Sequence, residues 1–550
     1  MRRRLLHRIP VRVRHYWKLL AVCAAFLVAC AVVFDTVRVA PLVTSTSDND
    51  GDQIVEDIAG TTDLFDETKA HTITLSFKDA DYQRLLDEFW DEGEKEFLEA
   101  DITIDGTRID SVGIRLKGNS TLAGLTRNGQ SRPNGFGGAR VGAQPGGQGG
   151  QMPQRNGGAN GNGNGGPPAG GFPGGGGGFP GGGGFPGGGG ARPGGGFGMA
   201  SLKAEEPETL PWLIRFDEFA DGRRYQGHRE IAVRVAGMGG GSTVLNEAVS
   251  LNVLAKAGQT AQRYAYTSFT VNNRPTTARL IVEHPDEDFA ESLGESGVLY
   301  KSLATGSFTD QGDDPIDYAD DFKQITKKGS QDLQPVIDLI KWVHSASDAD
   351  FDKHLADHVD VASFARYVSA QNLLLNSDDM AGPGRNYYLW YDLKTKKFSV
   401  VGWDYNLSFS GSATTGPHDT TSMGGGRFPG GGNGGDFQPP AGMQLPDGMQ
   451  PPAGMGGGMG GRGGFGGNKL KERFLASKAF TSTYDDAYRA LYKKIYAGAD
   501  ALNILDGITT VLGTVQGNNA EKTKSDAETL RTLIVQRTEH LAGDSVIAGG

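Results

Sequence analysis

The stretch Asn376-Ser-Asp-Asp-Met-Ala-Gly-Pro-Gly-Arg-Asn386-Tyr-Tyr-Leu-Trp-Tyr391, continued by Phe398-Ser-Val-Val-Gly-Trp403-Asp404, carries the reading of the fold. Upstream of it, Val361 to Leu375 reads as a helix with Val361, Phe364, Ala365 and Val368 as its apolar stripe and Asp360 as its cap. The helix ends at Asn376-Ser-Asp-Asp. Two runs rich in aromatic and β-branched residues follow, Asn386–Tyr391 and Phe398–Trp403, and they predict a hairpin. A hairpin sets its two open ends side by side, so Asn386 and Asp404 become neighbours. Asp378 lies only eight residues before Asn386 and stays close to both.

Working outward, the chain before this stretch reads mainly as strands. His71–Phe77 alternates, Asp101–Arg108 enters an Asp105-Gly106 turn, and Val112–Leu116 returns. Ala80–Phe97 fits a helix with Tyr82, Leu85, Leu86 and Phe89 on one face. Trp212–Phe216 and Glu230–Val235 are strands. Ser242 or Thr243 is placed to cap a helix bearing Val244, Ala248, Leu251 and Ala255. Tyr264–Val271 and Thr277–Glu283 flank an Asn272-Asn273 turn, Leu333–Val343 is amphipathic, and Lys469 to about Leu541 is helical throughout. Strands come first, then mostly helices around one hairpin, which predicts an α+β fold with two lobes.

Composition divides the rest. Of 550 residues, 85 are Gly and 25 Pro, and the excess is clumped. Residues 128–200, with Phe-Pro-Gly at Phe172, Phe179 and Phe185, and 422–467, with Met443, Met449, Met455 and Met459, cannot bury enough apolar area to offset chain entropy. They read as disordered insertions carried by a folded domain at a cost that grows only logarithmically with length. A net charge of −11 argues against a nucleic-acid partner. With Cys23 and Cys30 alone, there is neither a disulfide framework nor a Cys-based zinc site. Arg2, Arg3, Arg4, Arg8, Arg12, Arg14 and Lys18 precede an uncharged run, Leu19–Phe34, closed by Asp35. This pattern predicts a single membrane pass with the N-terminus inside and the body outside the cytoplasm. The alternatives are a cleaved signal and lipidation at Cys30, whose Leu27-Val-Ala-Cys30 resembles a lipoprotein box. The expected organisation is a basic and apolar segment over 1–37, a linker over 38–69, a folded domain over 70–421 interrupted by 128–200, a second linker over 422–467, and a helical region over 468–550.

Two or three oxygen ligands, with waters and substrate phosphates, are how Mg²⁺ is commonly held. Kinases use such a set, one Asp taking the hydroxyl proton while an Asn and a second Asp hold metal. Spacing alone also permits caps and solvated surface acids. Beyond spacing, Asn376-Ser-Asp378, Arg385-Asn386-Tyr-Tyr-Leu-Trp and Val400-Val-Gly-Trp403-Asp404-Tyr-Asn-Leu-Ser-Phe resemble the CotH family of spore-coat kinases. So do Gly113-Ile-Arg-Leu-Lys-Gly-Asn-Ser120, Trp212-Leu-Ile-Arg-Phe216, Leu280-Ile-Val-Glu283 with Asp288-Phe289, and Gly297-Val-Leu-Tyr-Lys301, in family order.

The resemblance implies an atypical protein-kinase-like fold and transfer of phosphate from ATP to protein Ser or Thr with Mg²⁺ or Mn²⁺. The substrate would be the protein itself or another envelope protein. It implies Asp378 as catalytic base, Asp404 as metal holder and Asn386 as a second metal or phosphate ligand. Arg115, Lys117, Arg215 and Lys301 become phosphate contacts, Glu247 orients one of them, and Glu283 sits near the nucleotide hinge. Asn406 stands where the family commonly has a second acid, and Asp379 competes with Asp378 for the proton. The rival expectation is a non-catalytic surface-binding or adhesion protein on the same fold.

Overall fold

The computed structural model describes residues 54–118, 121–132, 202–235, 243–294, 296–419 and 467–549. The basic and apolar segment 1–37 and the bulk of both Gly-rich tracts lie outside the described residues. Among the described residues no helix is long and apolar enough to cross a membrane. The fold is α+β, with sheets and helices in roughly the expected order and helices at the C-terminal end.

Seven strands close into a barrel: β1 (Ala70–Ser76), β2 (Leu98–Ile104), β3 (Thr107–Leu116), β4 (Trp212–Arg215), β5 (Glu230–Val233), β6 (Tyr264–Val271) and β7 (Thr277–Glu283). Their order around the barrel is β5-β7-β6-β1-β2-β3-β4. All neighbours are antiparallel except β6 and β1, which run parallel from Tyr266 opposite Ala70 to Val271 opposite Leu75. The β2–β3 turn is tight because Asp105 and Gly106 both take positive φ, 48° and 85°, the conformation a two-residue hairpin favours.

Alternation then sorts the side chains. Ile73, Leu75, Ile102, Ile104, Ile114, Leu116, Trp212, Ile214, Ile231, Val233 and Ile281 fill one core. The residues between them face the other way. Arg115 and, one step beyond β3, Lys117 share the outward parity. So do Leu213 and Arg215 on β4, and Ala232 on β5 followed by Arg234. Helix α1 (Asp79–Asp91) buries the expected Tyr82, Leu85, Leu86 and Phe89. It stops six residues short of the predicted end, at a Gly93 with φ of 84°. Part of the stretch read as a spacer is packed: Glu56–Ile58 pairs with Arg223–Tyr225, and Leu64 and Phe65 are buried in the barrel core.

A second core gathers around α2 (Leu245–Lys256), which lies between the barrel and the remaining elements. The expected Thr243 cap does not form. Val244 occupies the cap position at φ 56°, and the Thr243 hydroxyl instead donates to Asp526; Ser242 lies outside the described residues. After α3 (Glu287–Leu293) the chain forms β8 (Gly297–Ser302) and β9 (Phe322–Gln324), then α4 (Gln334–Ser345), α5 (Asp348–His358) and α6 (Val361–Leu373). Asp360 caps α6 as expected, accepting from the Ser363 N–H. The expected hairpin is β10 (Tyr387–Asp392) and β11 (Lys397–Gly402), but it does not stand alone. β8 pairs with β10 on its far side, giving the order β9-β8-β10-β11. A side chain at Gly297 would put a Cβ 2.2 Å from the Trp390 ring, so this pairing needs glycine. Five C-terminal α-helices, α7 (Lys469–Ala476), α8 (Thr481–Tyr492), α9 (Asp500–Leu512), α10 (Ala520–Ala542) and the short α11 (Ser545–Ala548), complete this core among the described residues.

Candidate active site

β5 ends in Val233, and the next residue, Arg234, carries its guanidinium outward from the barrel onto α2 and the end of β11. There it is buried between two acids. It pairs with Glu247 of α2, and its Nη2 lies 3.1 Å from Asp404 Oδ1. Burial opposes its charge, but Asp404 and Glu247 outweigh that and hold the guanidinium more firmly protonated than usual. Burial pushes the Glu247 carboxyl up.

Trp403 forms the floor of this cluster. Its ring lies 4.9 Å from Lys117 Nζ, 4.9 Å from Arg234 Cζ and 5.7 Å from Lys301 Nζ. Three cations on one indole is a costly arrangement without anions to balance it. Burial, then the Arg234 charge, brings the Lys117 ammonium down to about 7, and burial brings Lys301 down to about 8. Burial pushes Asp404 up, but Arg234, Lys117 and Lys301 together reverse the sign and hold it below the usual carboxylate range. Arg115 Nε, Arg234 Nε and Glu247 Oε2 are buried without a hydrogen-bond partner. The cluster therefore carries surplus positive charge and unused polar atoms, which suits a polyanionic ligand.

The other acids come from the loop after α6. Asp378 accepts from the Gly384 N–H and, at 2.9 Å, from Asn386 Nδ2. Gly384 permits this approach, because a Cβ there would fall 2.5 Å from Asp378 Oδ2. Burial raises Asp378 to about 6, with the charges of Asp404 and Asp379 adding to the effect. Asp379 is turned elsewhere and pairs with Lys471 of α7. Asp404 and Arg385 take positive φ, 58° and 48°, as does Leu375 at 50°. Left-handed backbone at non-glycine residues is a strain that surrounding structure must hold in place, and it concentrates at functional sites.

The structure brings most of the candidate residues together. Asp378 and Asn386 are bonded, Asp404 lies near enough to shift Asp378, and Lys117, Lys301 and Glu247 share the Arg234 cluster. Arg115 and Arg215 flank it, stacked near Phe97 at 5.1 and 5.7 Å. Arg215 is engaged by Asp217 at 2.7 Å and Glu218 at 3.2 Å. Glu283 stands apart from the Arg234 cluster. It shares the parity of Ile281 rather than Val282, and its carboxylate accepts from the Arg263 N–H at 2.9 Å and faces His228. The next residue, His284, takes the outward position, packing edge-on to Trp403 at 5.3 Å and pairing with Glu230 at 3.0 Å. Asn406 contributes its backbone carbonyl to Asn246.

Sequence reasoning missed Arg234, His284 and Lys471. The signal for the first two was strand parity: a charged residue sharing a face with Ala232, and a histidine sharing a face with Val282. Nothing local marked Lys471, whose partner is 92 positions away. Among the described residues, one group of three potential metal ligands lies within reach of a single cation, and it is His228, Glu283 and Asp288.

Residues 201–539 match the family model described as CotH kinase protein. The chain belongs to the CotH kinase family. The CotH match contains Arg234, Glu247, Lys301, Asp378, Asn386 and Asp404, extends through α7, α8 and α9 into α10, and begins after Arg115 and Lys117. The crystal structure of the Helicobacter pylori proinflammatory kinase CtkA is similar over 58% of this chain and 90% of that one, at 10% identity and a TM-score of 0.27. No curated protein matches the chain.

Proposed function

We propose that this CotH-family protein is a metal-dependent kinase that transfers the γ-phosphoryl group of ATP to Ser or Thr hydroxyls of a protein, itself or another envelope component. The observation that carries the reading is Arg234 bridging Glu247 and Asp404 above Trp403. Phosphoryl transfer in kinases requires a strand cation paired to a helix glutamate together with a metal-holding aspartate, and these residue types meet here. On this reading the barrel with α2 is the small lobe and the β8–β11 sheet with its helices the large one.

Bound ATP with Mg²⁺ or Mn²⁺ supplies an electrophilic phosphoryl group whose charge the cation partly neutralises. Asp404 and Asn386 hold the cation. Lys117, Arg234 and Lys301 bind phosphate oxygens, and the ligand's charge restores the protons that burial makes easy to lose. Arg115 and Arg215 flank them. Asp378 takes the proton of the attacking hydroxyl, while Asn386 and the Gly384 N–H fix its orientation. The basic N-terminus and the apolar run after it tether the body outside the cytoplasm.

Incubation of the purified protein with γ-labelled ATP and Mg²⁺ or Mn²⁺ tests the reading. Label should enter protein Ser or Thr in wild type and fall by at least about 100-fold in Asp404→Ala, since loss of one preorganised charge in such a site typically costs 10²–10³. Absence of both label transfer and nucleotide binding in wild type would favour the non-catalytic adhesion protein.

A further inference from the structure

At the far end of β7, on the inward side of the strand, three ligating side chains converge from two segments. His228 follows a tight turn in which Gln226 and Gly227 take positive φ, 52° and 81°. Backbone bonds between Tyr225 and His228 close the turn, and the Phe65 ring packs against the imidazole at 81°, with ring centres 4.9 Å apart. The ring is thereby held with Nδ1 aimed at two carboxylates: Asp288 Oδ2 at 3.3 Å and Glu283 Oε1 at 3.8 Å. His228 is only 3% exposed, yet Nδ1 has no hydrogen-bond partner. A buried ring nitrogen between two acids, bonded to neither, calls for an explanation.

The geometry points to a second cation site: we propose that His228, Glu283 and Asp288 bind one divalent transition-metal ion of the Zn²⁺ class, separate from the Asp404 site. Ligands about 2.0–2.1 Å from a tetrahedral Zn²⁺ lie about 3.4 Å from one another, close to the two spacings measured. One imidazole with two carboxylates suits Zn²⁺ better than Mg²⁺, which prefers all-oxygen surroundings. The surroundings match what such a site needs. The Arg263 N–H binds Glu283 Oε2 and leaves Oε1 toward His228, a supporting bond of the kind that orients metal ligands. A Cβ at Gly227 would lie 3.1 Å from Asp288 Oδ1, so glycine keeps that carboxylate free to turn. Asp288 is 42% exposed and leaves a path for the ion and a water as fourth ligand. The guanidinium of Arg263, whose backbone N–H binds Glu283, is engaged by Asp63. The ion would clip the turn before β5 to residues 283–288, the segment that carries the chain from the barrel to the second core.

The test uses the full chain without a polyhistidine tag, stripped with EDTA, then titrated with Zn²⁺ and separately with Mg²⁺. Zn²⁺ should bind at one equivalent above that of His228→Gln or Asp288→Asn. It should raise the melting temperature of wild type but of neither variant, and Co²⁺ should give visible d–d bands only in wild type. Asp404→Asn should bind Zn²⁺ as wild type does, which separates this site from the kinase reading, and no kinase assay enters the result. Equal Zn²⁺ uptake by wild type and both variants, or none in wild type, overturns the proposal. Melting in EDTA checks the fold of each variant, and the partly exposed Asp288→Asn carries the test should His228→Gln not fold.

Discussion

Asp378 keeps its carboxylate between the Asn386 amide and the Gly384 N–H, whereas Asp379, the next residue, is tied to Lys471. Asp378 is thus held by neutral donors while a cation neutralises Asp379, which supports giving Asp378 the base's role. A base must be ionised to act, and burial has raised this carboxyl to about 6. The active carboxylate is thus dominant above pH 6 and falls about tenfold per unit below it. We expect kcat/KM to rise with pH through about 6 with unit slope and to fall again above about 7 to 8, as Lys117 and Lys301 of the free protein lose their protons. Asp378→Asn should lower kcat by roughly 10²–10⁴ with nucleotide affinity retained. A profile flat from pH 5 to 8, or an Asp378→Asn variant with normal kcat, would move the base elsewhere.

The loop that presents Asp378 is held by elements from the end of the chain. Lys471 of α7 pairs with Asp379, and the fully buried Arg537 of α10 donates to the Asn372 carbonyl at 3.0 Å and to the Thr415 carbonyl. Tyr496 adds a bond to the Leu373 carbonyl at 2.8 Å. These residues thereby brace the C-terminal end of α6, and Lys471 braces the loop that follows it. Removing one partner from a buried ion pair costs about 3–5 kcal/mol, because the other charge is stranded. Lys471→Met should lose stability on that scale in urea unfolding, and adding Asp379→Asn should recover most of it. If the double variant is no more stable than the single, the pair does not hold the loop.

Across the whole molecule, the Gly-rich tract leaves and rejoins the body at one small sheet: Thr126 pairs with Ser131 and, on its other side, with Lys203. The two flanks of the tract therefore lie on one sheet, close enough to be joined by a short linker. Replacing residues 134–200 by an eight-residue linker should leave kinase activity intact and stabilise the fold by about 1–2 kcal/mol, since closure entropy grows as (3/2)RT ln n. Loss of folding on that deletion would contradict it. Local pattern determined a good deal of this protein. Alternation and turn chemistry located β1, the β2–β3 hairpin, the β6–β7 pair and α6 with its Asp360 cap, because those depend on neighbours along the chain. The meeting of Asp378 with Asn386 was legible for the same reason: one helix end and the start of one hairpin strand fix it. Only the tertiary structure decided that the strands close into a barrel and that Arg234, not one of the cations singled out beforehand, bridges Glu247 and Asp404. It also decided that Lys471 claims Asp379 and that Glu283 faces His228. Each of these is a choice among several chemically equivalent charges, and burial makes that choice through partners brought together from distant parts of the chain.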